Sequence, residues 1–164
     1  MSTNGLWYFI QWFHYLALSL WIGGITFLSA VAAPAAHSSI ASRAVAGQIV
    51  GKILKRLNRV EIICCLILLA TSFLSFRFVR ERQHWLCYLI LIIVLMGILT
   101  LYYAFYLTPR LEAIKANVPT FDSLAPGHAS KVEFNRLHKL YVQLMSLNLV
   151  LGLGTLYASV VILK

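Results

Sequence analysis

Four long apolar stretches alternate with polar ones along the chain, at residues 6–33, 60–78, 85–107 and 140–163. Crossing the hydrocarbon of a bilayer takes about 20 apolar residues in a helix. Backbone groups in hydrocarbon must bond within their own segment, so each stretch is predicted to be helical. The first contains no Asp, Glu, Lys or Arg, yet it carries His14 with Gln11 one turn before it and Trp21 two turns after it. An imidazole in hydrocarbon needs a hydrogen-bond partner or a metal, so His14 is expected to face protein.

Between the first two stretches, Val45, Ile49, Val50, Ile53, Leu54 and Leu57 recur at helical spacing, with Lys52, Lys55, Arg56 and Arg59 on the other side. This pattern predicts an amphipathic basic helix over 38–59, lying at a headgroup surface. A straight extension of the second span is the alternative. Pro34 is expected to end or kink the first helix, and Pro109 to stop the third. Arg77, Arg80, Glu81, Arg82 and His84 form a short polar turn. Trp85, Tyr88, Tyr102, Tyr103 and Tyr106 have the positions of interfacial aromatic belts. Residues 111–127 form a polar connection with Pro119, Pro126 and Gly127, after which Ser130 and Glu133 have capping-box spacing at the start of the fourth helix. The predicted fold is all-α: a single four-helix transmembrane bundle over 1–164, up-down-up-down, with the amphipathic basic helix between helices one and two.

Composition agrees with this class. The chain is 60% hydrophobic and only 12% charged, with a mean hydropathy of +0.81. A soluble domain carries about 25% charged residues. The first stretch is too long for a signal-peptide core and lacks a basic lead-in, so cleavage after the small residues 30–36 is not expected. The net charge of +9 sits beside apolar segments, so it reads as membrane topology and as attraction to anionic lipid headgroups, with no nucleic-acid partner. Ten Lys/Arg lie in the two longer connections (Arg43, Lys52, Lys55, Arg56, Arg59, Arg110, Lys115, Lys131, Arg136, Lys139), against four at the other end (Arg77, Arg80, Arg82, Lys164). The positive-inside rule then puts the longer connections in the cytoplasm. Cys64, Cys65 and Cys87 all lie in apolar runs and read as small buried hydrophobes.

Candidate chemistry follows two helices. In the fourth, Phe134, His138, Tyr141, Met145, Asn148, Gly152, Thr155 and Ser159 follow steps of three or four and share one stripe. Small and polar residues suit close helix contact in lipid, and the opposite face of helix one, Ser19, Gly23, Thr26 and Ala30, is its expected partner. Two separate polar sites are expected. One is an inner site at His14, with Gln11 and Trp21. The other is a surface site of His138, Glu61 and Arg110, with His37 as a further candidate and Asn148 further along the stripe. At 1.5 Å per residue, much of the bilayer separates His14 from His138, so they should not share one haem. No phosphate loop, nucleophile elbow or paired-carboxylate constellation is present, so no catalytic residue is assigned.

Three short motifs carry a resemblance: His14 followed by Trp21-x-Gly23, Thr108-Pro109-Arg110 closing the third helix, and Phe134-x-Arg136-Leu137-His138 in the fourth. Over nearly its whole length the chain resembles the domain of unknown function 4149 family, also called transmembrane protein 205-like. The resemblance implies a four-helix membrane protein and no established activity. His14, Trp21 and Gly23 are also similar to the first helix of the four-helix membrane protoporphyrinogen oxidase and of copper-resistance membrane proteins. In that oxidase, however, a Pro-Arg-Leu run follows the first helix, whereas here Pro109-Arg110 follows the third. The expected function is therefore non-enzymatic small-molecule or lipid handling in a bacterial inner membrane, or service as an accessory subunit, within a homo-oligomer or larger complex. The alternative is a haem- or metal-binding membrane oxidoreductase using His14 and, separately, His138.

Overall fold

The structure, a computed structural model, describes residues 3–116, 125 and 127–163. Its elements are α1 (Thr3–Phe27), a π-turn (Leu28–Ala32), α2 (Ala33–Ser39), α3 (Arg43–Ser75), α4 (Gln83–Tyr102), a second π-turn (Tyr103–Leu107), α5 (Thr108–Ala116) and α6 (Ala129–Ile162). Among the described residues there is no strand, and four continuous helical stretches are long and apolar enough to cross a membrane: Asn4–Ser39, Val45–Ser75, Gln83–Ala116 and Ala129–Ile162. The chain is a multi-pass integral membrane protein.

The helices extend further than the apolar runs that predict them. Residues 43–59 do not form a separate surface helix. They are the first half of the 33-residue α3, opened by Ser42, whose side chain accepts from the Val45 N–H. One of the basic residues there reaches α5, where Lys55 pairs with Glu112 at 2.6 Å. Nor do the prolines stop their helices. Pro34 and Pro109 each lie two residues after a π-turn. Proline cannot donate to the preceding turn, and its ring crowds it. The wider turn makes room, with Ala33 N–H bonding Leu28 O and Thr108 N–H bonding Tyr103 O. At the start of α6 the cap is His128, whose Nδ1 accepts from Ser130 N–H at 3.3 Å, in place of the expected Ser130–Glu133 box.

The stretches pack in a ring: α1 on α3, α3 on α4, α4 on α6 and α6 back on α1. Buried polar side chains pair across each of these contacts: His14 with Thr71, Glu61 with Tyr103, Thr100 with Asn148, and Ser159 with His14. Inward positions step by three and four, as in Leu86, Leu89, Ile93, Met96, Thr100, Tyr103 and Leu107. This is the knobs-into-holes spacing of coiled helices. Two glycines mark close approach: a Cβ on Gly97 would lie 2.7 Å from Cys65 Sγ, and one on Gly152 would lie 3.2 Å from Ile22 Cγ1.

The α6 stripe from Tyr141 to Ser159 faces inward. Its expected partner face does not meet it: Ser19, Gly23, Thr26 and Ala30 are exposed, and the His14–Trp21 face turns inward instead. Cys64 and Cys65 are buried as expected, whereas Cys87 faces outward.

Candidate functional site

Two polar centres lie inside the bundle, at different depths. The first is built on α1. His14 is fully buried, with Nδ1 2.8 Å from Thr71 Oγ1 and Nε2 2.9 Å from Ser159 Oγ. Thr71 comes from α3 and Ser159 from α6, so the imidazole ties three helices together. Both hydroxyls also reach their own helices, Thr71 to Ile67 O and Ser159 to Thr155 O. A neutral imidazole has one donor and one bare nitrogen, so one hydroxyl accepts from it, while the other has a single proton that goes either to the bare nitrogen or to its own helix carbonyl. Gln11 lies nearer the helix end and donates to Leu163 O. Trp21 is fully buried further along α1, and its Nε1 has no partner among the described residues.

The second centre joins α3, α4 and α6. Tyr103 begins the second π-turn and is fully buried, not in the aromatic belt where its sequence position suggests. Its hydroxyl donates to Glu61 Oε2 at 2.7 Å and accepts from Asn148 Nδ2 at 3.0 Å. Asn148 Nδ2 also lies 2.9 Å from Thr100 Oγ1 and 3.3 Å from Met96 O. The Thr108 hydroxyl donates to Tyr103 O at 2.8 Å, which adds a second bond to the carbonyl that closes the π-turn. One turn away, Tyr141 donates to Asn58 Oδ1 at 2.9 Å, and its ring lies 5.1 Å from that of Tyr103. Glu61 and Asn148 are both fully buried, yet Glu61 Oε1 and Asn148 Oδ1 have no hydrogen-bond partner among the described residues. Both unpartnered atoms are acceptors.

The structure divides the predicted site residues differently from the sequence pattern. Glu61 and Asn148 are brought together through Tyr103. Glu61 is in the core and not at the surface with His138. His138 is exposed and stacks on Phe134 at 5.9 Å, with Lys115 and His37 as neighbours. Arg110 is exposed and lies over the Tyr106 ring, 4.6 Å from its centroid. His14 contacts Ser159, and His138 stands 21 residues earlier on the same helix. At 1.5 Å per residue the two histidines are about 30 Å apart, beyond the reach of one haem. Among the described residues no three His, Cys, Asp or Glu side chains converge as a metal cluster.

Sequence reasoning missed Tyr103, Thr100, Thr71, Asn58 and, as a ligand of His14, Ser159. A signal existed for the first two: Ile93, Met96, Thr100, Tyr103 and Leu107 follow inward steps of three and four. A third polar feature lies at the bundle end, where Asn4, Trp7, Arg77, Phe78, Arg80 and Arg82 line a cavity of about 470 Å³. Trp7 stacks on Phe78 there at 5.0 Å, and Arg82 donates to Val161 O.

The family model described as Domain of unknown function (DUF4149) matches residues 16–119. That stretch holds Trp21, Gly23, Glu61, Tyr103 and Thr108-Pro109-Arg110, while His14 and α6 lie outside it. No curated protein and no solved structure matches the chain. The chain belongs to the DUF4149 family.

Proposed function

For this DUF4149 member we propose a non-enzymatic role in a bacterial inner membrane: handling a small polar molecule held at the Glu61–Tyr103–Asn148 centre. The observation that carries the reading is the pair of fully buried, unpartnered acceptors, Glu61 Oε1 and Asn148 Oδ1. Each buried polar atom left unbonded costs about 1–3 kcal/mol. A hydrogen-bond donor entering the centre offsets that cost. Ionisable groups inside membrane spans are rare and mark pathways or ligand sites. Anionic lipid headgroups are the partners proposed for the basic surface of α3 and for the arginines around the end cavity.

The test is thermal unfolding in lipid nanodiscs against a panel of polar small molecules. A compound that raises the midpoint of the wild type but not of Glu61→Gln supports the reading. A panel that never separates the two proteins overturns it.

The haem reading is less well supported, because both ring nitrogens of His14 already meet hydroxyls at 2.8 and 2.9 Å. Iron would have to displace one of them. A stoichiometric Soret band in the purified protein would revive that reading.

A further inference from the structure

Resting on that reading, we infer that the occupant of the Glu61–Asn148 centre carries one positive charge: a free monovalent cation, or the ammonium end of a small amine. Four observations converge on this chemistry. The first is the character of the unpartnered atoms. Glu61 Oε1 and Asn148 Oδ1 are oxygen acceptors at side chains with no solvent exposure. Oxygen acceptors are the ligands of hard cations and of N–H donors.

The second is charge. Among the described residues no Lys, Arg or His forms an ion pair with Glu61; the ion pair found is Lys55–Glu112. The groups facing Glu61 are the phenols of Tyr103 and Tyr141, from the second π-turn and α6, and the Cys64 thiol on its own helix. The α1 stretch contains no Asp, Glu, Lys or Arg. A carboxylate here therefore has no positive side chain opposite it, so its charge is balanced either by a proton on Oε1 or by one bound cation, and the salt series below separates the two.

The third is number. The centre offers a single carboxylate, with Asn148, Tyr103 and Thr100 as neutral oxygens. Divalent Ca²⁺ is held by six to eight oxygens, typically including several carboxylates. One negative charge matches one positive charge.

The fourth is orientation. The Met96 carbonyl can only accept, so the Asn148 amide turns Nδ2 toward it, with Thr100 and Tyr103 sharing its two N–H groups, and the oxygen is the free atom. Tyr103 holds the carboxyl by Oε2 and leaves Oε1 uncommitted. The two free acceptors are thus presented by side chains sharing one phenol.

The experiment is thermal unfolding of the full chain in nanodiscs at constant ionic strength. Sodium, potassium or methylammonium chloride replaces the chloride of N-methylglucamine, which is too bulky for a buried centre. The expected result is a saturating rise of about 5 °C in the wild type with at least one small cation. It should be lost in Glu61→Gln and weakened in Glu61→Asp, which keeps the charge but shortens its reach. If Glu61→Gln does not fold, calorimetric titration of the wild type should give one cation per chain, again weakened in Glu61→Asp. A rise with sodium or potassium identifies a free ion, and one with methylammonium alone identifies an amine. Equal midpoints in all four salts overturn the inference. If a neutral polar compound still stabilises the protein through Glu61, the small-molecule reading survives without the charge. If nothing does, both fall.

Discussion

The Tyr103 hydroxyl reaches Glu61 Oε2 across 2.7 Å, joining the middle of α3 to the π-turn that follows α4. The same hydroxyl bonds Asn148 on α6, so one phenol organises three helices. Its position follows from Pro109. The proline leads the helix to take a wider turn, and that turn begins at Tyr103.

Tyr103→Phe keeps the ring packing and removes this hydroxyl. Glu61 then loses its partner in a buried setting, and Asn148 loses one of three. The expected destabilisation is about 2–3 kcal/mol, because an abandoned buried acceptor costs more than the mean hydrogen bond. Unfolding of the variant in detergent checks this. In the background of Glu61→Gln the same change should cost measurably less, since the two residues share one bond.

His14→Ala removes two hydrogen bonds and leaves a cavity between α1, α3 and α6. The expected cost is about 2–4 kcal/mol. Thr71 and Glu61 are ten residues apart on α3, about 15 Å along the helix. At that distance the effects of His14→Ala and Glu61→Gln should add to within about 0.5 kcal/mol. A larger coupling in the double-variant cycle would mean that the two centres act as one.

Gly152 meets Ile22 of α1 and Met96 of α4. Gly152→Leu should overpack this contact and destabilise the bundle by about 1–3 kcal/mol. Gly154 has open space where a Cβ would stand, so Gly154→Leu is the matched control and should melt like the parent. Similar melting of both variants would show that α6 does not hold α1 at Gly152.

The Lys/Arg excess predicts that the longer connections face the cytoplasm. Exposed positions at the two ends, Glu133 and Glu81, can each receive a cysteine in a variant lacking Cys64, Cys65 and Cys87. An impermeant reagent applied outside should label position 81 and not 133. The reverse pattern would invert the orientation and leave the helices unchanged.

Hydropathy alone located the four spans, because hydrocarbon selects long apolar runs whatever their tertiary partners. It drew the helices too short on the side of the longer connections, where α2 runs on to Ser39, α3 begins at Arg43 and α5 runs on to Ala116. Lys52 to Arg59 and Leu111 to Ala116 are polar yet helical, since continuation costs little once a helix is nucleated and α3 and α5 meet there through Lys55 and Glu112. Burial of His14 was also legible, as a polar group that cannot face lipid. So was the inward course of the α6 stripe, from its small and polar residues.

The partners within the bundle were not legible. In water, an apolar stripe marks the inward face of a helix. In lipid both faces are apolar, and the contrast that carries that information is lost. Sequence therefore determined that this chain spans a membrane, roughly where, and that His14 must turn inward. Only the tertiary structure decided that Glu61 leaves the surface for the core, that Tyr103 leaves the aromatic belt to hold it, and that His14 bonds Thr71 and Ser159. Those outcomes depend on the register in which four similar apolar surfaces interlock. That register is set by close contacts such as Gly97 with Cys65 and Gly152 with Ile22, between residues far apart in the chain.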